Sequence, residues 1–283
     1  MAPRSQPTAR QVRLGAELRK LRDAAGMSAR EVAELLSSTS AQMSQVESGL
    51  SGVSEERVRK LAALYACAEE ELIEALVAMA TDRTRGWWEE FRGVLPPGFL
   101  DLSELEHHAR FLRVISTAHV PGVLQTEEYA RAVFAYMVPE LPASELEPRV
   151  AHRMRRRVVV EQDEAVSYEA VVHESVLRTR VADRRAARAQ LEEILRQSER
   201  PNVSVRVIPF DVDGFAGANA SMLYAGGPLP QLDTAKRDAP HGGPFLDAQS
   251  QLARFRTLFR KVESASLDPA KSRDFVHRMA KEL

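Results

Sequence analysis

The stretch SAREVAELLSSTSAQMSQVESG, residues 28–49, constrains this chain more than any other. It contains two short runs of helical periodicity joined by a polar turn. Ser28 followed three residues later by Glu31 is the pattern of a capping box. Thr39 stands ahead of the second run as an N-cap, and Gly49 follows it, where a left-handed residue ends a helix without strain. Small Ala33 lets a second helix cross the first closely. The spacing predicts a helix-turn-helix with Met43 and Val46 facing inward and Ser40, Ala41, Gln42, Ser44 and Gln45 facing out.

Flanking stripes extend the same texture. Leu14, Leu18, Leu21 and Ala25 form one, Val32, Leu35 and Leu36 a second, Val58, Leu61 and Leu64 a third, and Leu72, Ile73, Leu76 and Val77 a fourth. With Ser54 as a further cap and Gly26 at a helix end, the first 80 residues read as five short helices.

The outward residues of the second run have the chemistry to contact DNA. A glutamine amide donates and accepts at once, which matches the major-groove edge of adenine, so Gln42 and Gln45, with Ala41 beside them, are the expected base contacts. Thr39, Ser40 and Ser44 suit phosphate or a thymine methyl and would set register. Ser28, Ala29 and Arg30 open the first run, where free N–H groups can meet a phosphate. Residues 1–30 carry Arg4, Arg10, Arg13, Arg19, Lys20, Arg22 and Arg30 against Glu17 and Asp23, a positive end in a chain of net charge -1. The competing reading of the segment is a small helical bundle used for protein contact.

From Val12 to Tyr65 the chain resembles the Cro and phage-repressor (Xre) class of helix-turn-helix domains, through Leu18, Arg22, Gly26, Ser28, Glu31, Ala33, Met43, Ser44, Val46, Glu47 and Gly49. The resemblance implies a five-helix, lambda-repressor-like DNA-binding domain at 12–80, preceded by a flexible basic arm at 1–11. It also implies a partly buried structural ion pair between Arg22 and Glu47. The chain departs from the class after the second run: LSGVSEE, residues 50–56, has no basic residue, which leaves phosphate contact there to backbone N–H groups, Arg57, Arg59 or the arm.

Beyond Arg85 the stretch GWWEEFRGVLPPGF marks a change of unit. Helices are expected over 103–113, 126–136, 145–158, 183–200, 247–261 and 268–283, with a turn at 120–124. Strands are expected at 166–174, 202–210 and 220–226. Residues 81–283 are therefore a mixed α+β domain, and the chain as a whole is mainly α. Together with VPGVLQTEEYARAVF and ERPNVSVRVIPF, this region resembles the C-terminal domain of WhiJ-like, antitoxin-like actinobacterial regulators. The resemblance implies a small partner protein encoded by an adjacent gene, or a small-molecule effector.

Within this region Trp87, Trp88, Phe91 and Tyr129 have two readings, a ligand or partner pocket and ordinary core. Arg149, Arg153, Arg155, Arg156 and Arg157 would either dock an acidic partner or form a solvated helix face. Asp211 and Asp213 open a calcium-like loop, but Met222 stands where its bidentate acid belongs, so the segment reads as a turn. His107, His108, His119, His152, His173, His241 and His277 fit no ligand spacing, the single cysteine, Cys67, reads as packing, and no nucleophile motif is present. No metal, cofactor or catalytic activity is expected. No apolar run is long enough to span a bilayer, so a cytoplasmic location without membrane contact is expected. One recognition helix makes few base contacts, which predicts a homodimer on a double-stranded operator. The expected role is a transcription regulator, a repressor or an activator, with repressor preferred. The alternative is an antitoxin-like adaptor that sequesters a partner without regulating transcription.

Overall fold

The computed structural model describes residues 6–162, 165–218, 220–238 and 243–283. It divides into two compact units, Met1–Trp87 and Trp88–Leu283. The division falls a few residues beyond the 80/81 boundary expected from sequence.

The first unit consists of the five expected helices, α1 Ala9–Ala24, α2 Ala29–Leu35, α3 Ser40–Glu47, α4 Glu55–Leu64 and α5 Glu70–Thr81. Ser28 and Glu31 form the predicted box, with the Glu31 N–H donating to Ser28 Oγ at 3.2 Å and the Ser28 N–H donating to Glu31 Oε2 at 2.7 Å. Thr39 and Ser54 cap α3 and α4 by accepting from the Gln42 and Arg57 N–H groups. The C-terminal end of the arm expected at 1–11 is helical instead. Residues 1–5 lie outside the described residues, and α1 already begins at Ala9, because Thr8 and Gln11 form a capping box of their own. Leu14, Leu18, Val32, Met43, Val46, Leu61 and Leu76 make the core. Leu35 departs from its expected stripe and is 62% exposed, since seven-residue α2 buries only Val32 and Ala33.

The second unit is built on a six-stranded sheet of order β3-β2-β1-β4-β5-β6. Helix α6 Pro97–His108 leads into β1 Phe111–Ser116, then α7 Glu127–Ala135, α8 Ala143–Arg155 and the single turn α9 Val158–Glu161. Strand β2 Ser167–His173 is followed by α10 Glu174–Arg178, α11 Arg184–Gln197 and β3 Val203–Ile208. Then come β4 Met222–Gly226, β5 Thr234–Arg237, β6 Phe245–Leu246, α12 Gln249–Ser264 and α13 Pro269–Glu282. Strands β1, β2 and β3 are parallel and β4 to β6 antiparallel. Strand β3 alternates buried Val203, Val205 and Val207 with half-buried Ser204 and Arg206, and β2 alternates likewise from Tyr168 to Ala170, so one face of this parallel ladder is fully buried and the other only partly. Leu112, Tyr168, Ala170, Val172, Val205 and Val207 pack against residues of α7, α11 and α13, while Ile115, Val171, Ile208 and Tyr224 pack against α12.

The expected helix over 103–113 is wrong in its second half. The helix stops at His108, and FLRVIS becomes the central strand β1, held between β2 and β4. Short β5 and β6 were not expected from sequence; they add to β4 as an outer pair.

The arginine run at 149–157 takes neither of its expected forms. Arg156 is buried and bidentate with buried Glu106, Nε to Oε2 at 2.9 Å and Nη2 to Oε1 at 2.5 Å. Arg153 donates from Nη1 to Gln125 Oε1 at 2.6 Å and lies over the Phe134 ring, and Arg149 lies over Phe99. Arg157 donates to the Gln125 carbonyl, and Arg155 alone is well exposed. The run is an internal polar seam tying α8 to α6 and to the Val120–Gln125 turn.

His152 is buried beside this seam, 3.0 Å from Ser103 Oγ and edge-on to Phe91 and Phe99. Burial, reinforced by the Arg156 and Arg153 charges, pushes its imidazole down to about 3. A folded value below the unfolded one favours proton uptake by the unfolded chain. The associated stability is fully present above an unfolded value of about 6.5 and is lost as pH falls toward the folded value. Between about pH 7.5 and about pH 5 the unit should lose roughly 2 kcal/mol through this group. Urea midpoints of the wild type should fall across that window, and those of His152→Gln should fall visibly less; parallel curves would refute the assignment.

Candidate nucleic-acid interface

Helix α3 presents one exposed face. Met43 and Val46 are buried, Glu47 is turned inward, and Ser40, Ala41, Gln42, Ser44 and Gln45 are exposed. At about 100° per residue, Ala41 and Gln45 lie opposite the centre of the buried set, with Ser40 and Ser44 on one flank and Gln42 on the other. The Gln45 side-chain amide has no hydrogen-bond partner among the described residues. The Gln45 backbone carbonyl accepts from the Ser48 hydroxyl and the Ser51 N–H, which fixes the turn after the helix.

The helix is braced from below. Arg22 at the end of α1 grips Glu47 at the end of α3 with two parallel bonds, Nε to Oε1 at 2.6 Å and Nη2 to Oε2 at 2.9 Å. Its Nη1 also donates to the Met27 carbonyl at 2.7 Å, so one guanidinium ties α1, the α1–α2 turn and α3 together. The Glu47 carboxylate raises the Arg22 guanidinium, and burial pushes the neighbouring Tyr65 hydroxyl up to about 12. A bidentate, screened pair of this kind fixes orientation as well as stabilising the contact.

Gly15, which sequence reading passed over, completes the brace. A Cβ there would come within 2.5 Å of the Glu47 carbonyl and 2.6 Å of the Val46 carbonyl. The α1 backbone therefore runs directly against the C-terminal turn of α3. Gly49, with φ of +75°, meets the Gln11 backbone in the same way. The available clue was a lone glycine inside the Leu14–Leu18 stripe, where it weakens a helix unless close packing requires it.

The expected phosphate contacts are more occupied than the sequence suggests. Arg57 turns inward, donating to Ser38 Oγ at 3.2 Å and approaching Met43 Sδ at 3.6 Å. Arg59 is clamped by Glu55 and Glu74. Arg30 pairs with Glu34 at 3.0 Å, and the Glu31 carboxylate sits over the Ser28 end of α2. Arg13 and Lys20 both reach Glu17, and Arg10 lies 3.7 Å from Asp82. The positive surplus of residues 1–30 is thus largely consumed within the unit. Thr39, Ser40 and Ser44 remain at the exposed rim of α3, with the Thr39 oxygen already accepting from the Gln42 N–H.

In the second unit Trp88 and Tyr129 are core side chains, 1% and 3% exposed. Trp88 tilts against His107, and the Tyr129 hydroxyl accepts from the Val120 N–H at 3.1 Å. Trp87 and Phe91 are half-buried, Phe91 edge-on to His152. Trp88 and Tyr129 thus take the core reading, and none of the four lines either of the two clefts described next. A cleft of about 320 Å³ lies over β1 to β3, where Arg113 pairs with Glu169 at 3.1 Å and Arg206 with Glu263 at 3.7 Å. A second, more open one shares Arg206 and Glu263 with it. The turn at Asp211 and Asp213 is not a helix or strand, and His241 lies outside the described residues. Among the described residues no group of three or more His, Cys, Asp and Glu is arranged to hold a metal, and no helix is long and apolar enough to cross a membrane.

A family model described as a helix-turn-helix domain matches residues 13–76, and one described as a domain of unknown function (DUF5753) matches residues 99–278. No curated protein and no solved structure matches the chain.

Proposed function

We propose, from the premise that this chain belongs to the DUF5753 family and carries a helix-turn-helix domain ahead of that family's own, that it is a sequence-specific transcription regulator acting as a repressor. The observation that carries the reading is the exposed polar face of α3, capped at Thr39 and held rigid at Glu47 by Arg22. A rigid helix whose outward side chains are short or amide-bearing can enter a major groove and meet base edges. In this reading Gln45 and Ala41 contact bases at the centre of the face and Gln42 at its flank. Thr39, Ser40 and Ser44 contact phosphate, with Ser28 and Arg30 contributing at the start of α2.

Because most arginines of the unit are engaged internally, phosphate contact supplies little affinity per domain. A homodimer on two half-sites about 34–36 Å apart supplies the rest. The second unit would hold the dimer together and receive the signal, either a small protein encoded nearby or a small-molecule effector, without a catalytic step, metal or cofactor. A cytoplasmic location follows from this role.

The test is fluorescence anisotropy of the full chain on DNA from upstream of its own gene and on a random duplex. Specific binding should appear on the former. The double variant Gln42→Ala and Gln45→Ala should lose at least roughly 5- to 150-fold of it, the value of one good amide-to-base contact, with unchanged circular dichroism. Specific binding that survives the double variant intact would refute these reading residues. Capture of a small adjacent-gene product without any DNA binding would replace the regulator by the antitoxin-like adaptor.

A further inference from the structure

The flank of α3 contains a three-residue chain that the helix-turn-helix fold does not require. Arg57 Nη2 donates to Ser38 Oγ at 3.2 Å, and the Ser38 hydroxyl lies 2.7 Å from Gln42 Oε1. Arginine has donors only, so Ser38 must receive from it. The Ser38 hydroxyl in turn donates to Gln42 Oε1, so the amide oxygen, not the amide nitrogen, faces the serine. Arg57 is in turn fixed from both sides, by half-burial in α4 and by the Met43 sulfur at 3.6 Å. The direction of the chain thus runs from a half-buried cation outward to an exposed amide.

Bidentate recognition of adenine uses both ends of an amide, the oxygen accepting from N6 and the nitrogen donating to N7. With its oxygen turned toward Ser38, Gln42 presents its NH₂ group. The major-groove edge of guanine offers two acceptors, N7 and O6, and no donor. We infer that Ser38, held by Arg57, is a specificity-positioning residue that sets the polarity of the Gln42 amide, so that this position of α3 selects guanine over adenine. The inference rests on the reading of α3 as a base-contacting helix, and it changes the base that sequence reasoning alone assigns to Gln42.

The experiment is selection of bound duplexes from a randomised library by the full-length chain, for wild type, Gln42→Ala, Ser38→Ala and Ser38→Thr. The position that Gln42→Ala flattens should be guanine in the wild type, preferred over adenine by about 5-fold or more, the low end of one good side-chain contact. Ser38→Ala frees the oxygen and should shift that position toward adenine, while Ser38→Thr, which keeps the hydroxyl, should keep guanine. A merely structural serine would weaken all positions alike. Should Ser38→Ala fail to fold, 7-deazaguanine placed at the wild-type position gives a readout without a variant. Loss of the N7 acceptor should weaken wild-type binding and leave Gln42→Ala indifferent.

Adenine at that position in the wild type, an unchanged preference in folded Ser38→Ala, or indifference to 7-deazaguanine would each overturn the inference while leaving DNA reading intact. A selected motif that Gln42→Ala leaves unaltered would do the same. A wild type that enriches no sequence at all would overturn the DNA-reading proposal, and this inference with it.

Discussion

Glu106→Gln is expected to destabilise the second unit by about 3–5 kcal/mol, although it changes one oxygen for one nitrogen. Glu106 is 2% exposed, and both its oxygens accept from the Arg156 guanidinium. Removing its charge leaves Arg156 buried beside Arg153, whose own contacts are the neutral Gln125 amide and the Phe134 ring. Two guanidinium groups would then share an interior without a carboxylate in contact, and neither can shed its proton near neutral pH. Gly122 shows how closed the place is, since a Cβ there would lie 2.8 Å from Arg156 Nη1. Urea unfolding followed by tryptophan fluorescence should show the loss. Replacing both partners, Glu106→Leu with Arg156→Met, should recover most of it, because the pair's Coulomb attraction mainly offsets the cost of burying it. A single-variant loss below about 1 kcal/mol would show instead that water reaches the seam.

Such a seam could not be read from the chain alone. Five arginines within nine residues look the same whether a helix turns them to solvent or to a partner carboxylate 50 residues away. Only the fold brings Glu106 to Arg156. The same distance problem hid β1: residues 103–113 have enough helical spacing to read as one element, and what makes FLRVIS a strand is its pairing with β2, 56 positions on, and with β4. Strands β2, β3 and β4 were legible because β-branched or aromatic residues sit between turn formers. The first unit was almost wholly legible, since caps and stripes act within a few residues. Its errors, the start of α1 and the exposure of Ala25 and Leu35, lie at helix ends and on a helix too short to bury two faces. For the interface, the outward set of α3 followed from period alone. That Arg57 and Arg59 are engaged internally did not, because ion pairing depends on which side chains converge.

Gly15→Ala is expected to cost the first unit several kcal/mol and to abolish specific DNA binding, without touching a residue proposed to contact DNA. On helix propensity alone the change should stabilise α1, by about 1 kcal/mol. Two opposing effects therefore meet at one methyl group, and the geometry decides between them. The new Cβ would lie 2.5 Å from the Glu47 carbonyl oxygen and 2.6 Å from that of Val46. Both are backbone atoms of α3, so no rotamer change relieves the clash, and the two helices must separate. The Arg22 to Glu47 bonds, at 2.6 and 2.9 Å, bridge the same pair of helices and have little slack to follow. Overpacking of this kind costs about 1–3 kcal/mol where side chains can adjust and more where backbone must move. Separation also tilts α3 at its C-terminal end, which displaces Gln45 relative to Thr39. Thermal unfolding should therefore place Gly15→Ala well below wild type, while Gly26→Ala, whose Cβ meets nothing, pays only for its φ of +69° and should retain binding. Equal or higher stability in Gly15→Ala with undiminished specific binding would mean that α1 and α3 are not in backbone contact. The brace assigned to Arg22 and Glu47 would then no longer account for the rigidity of the reading helix.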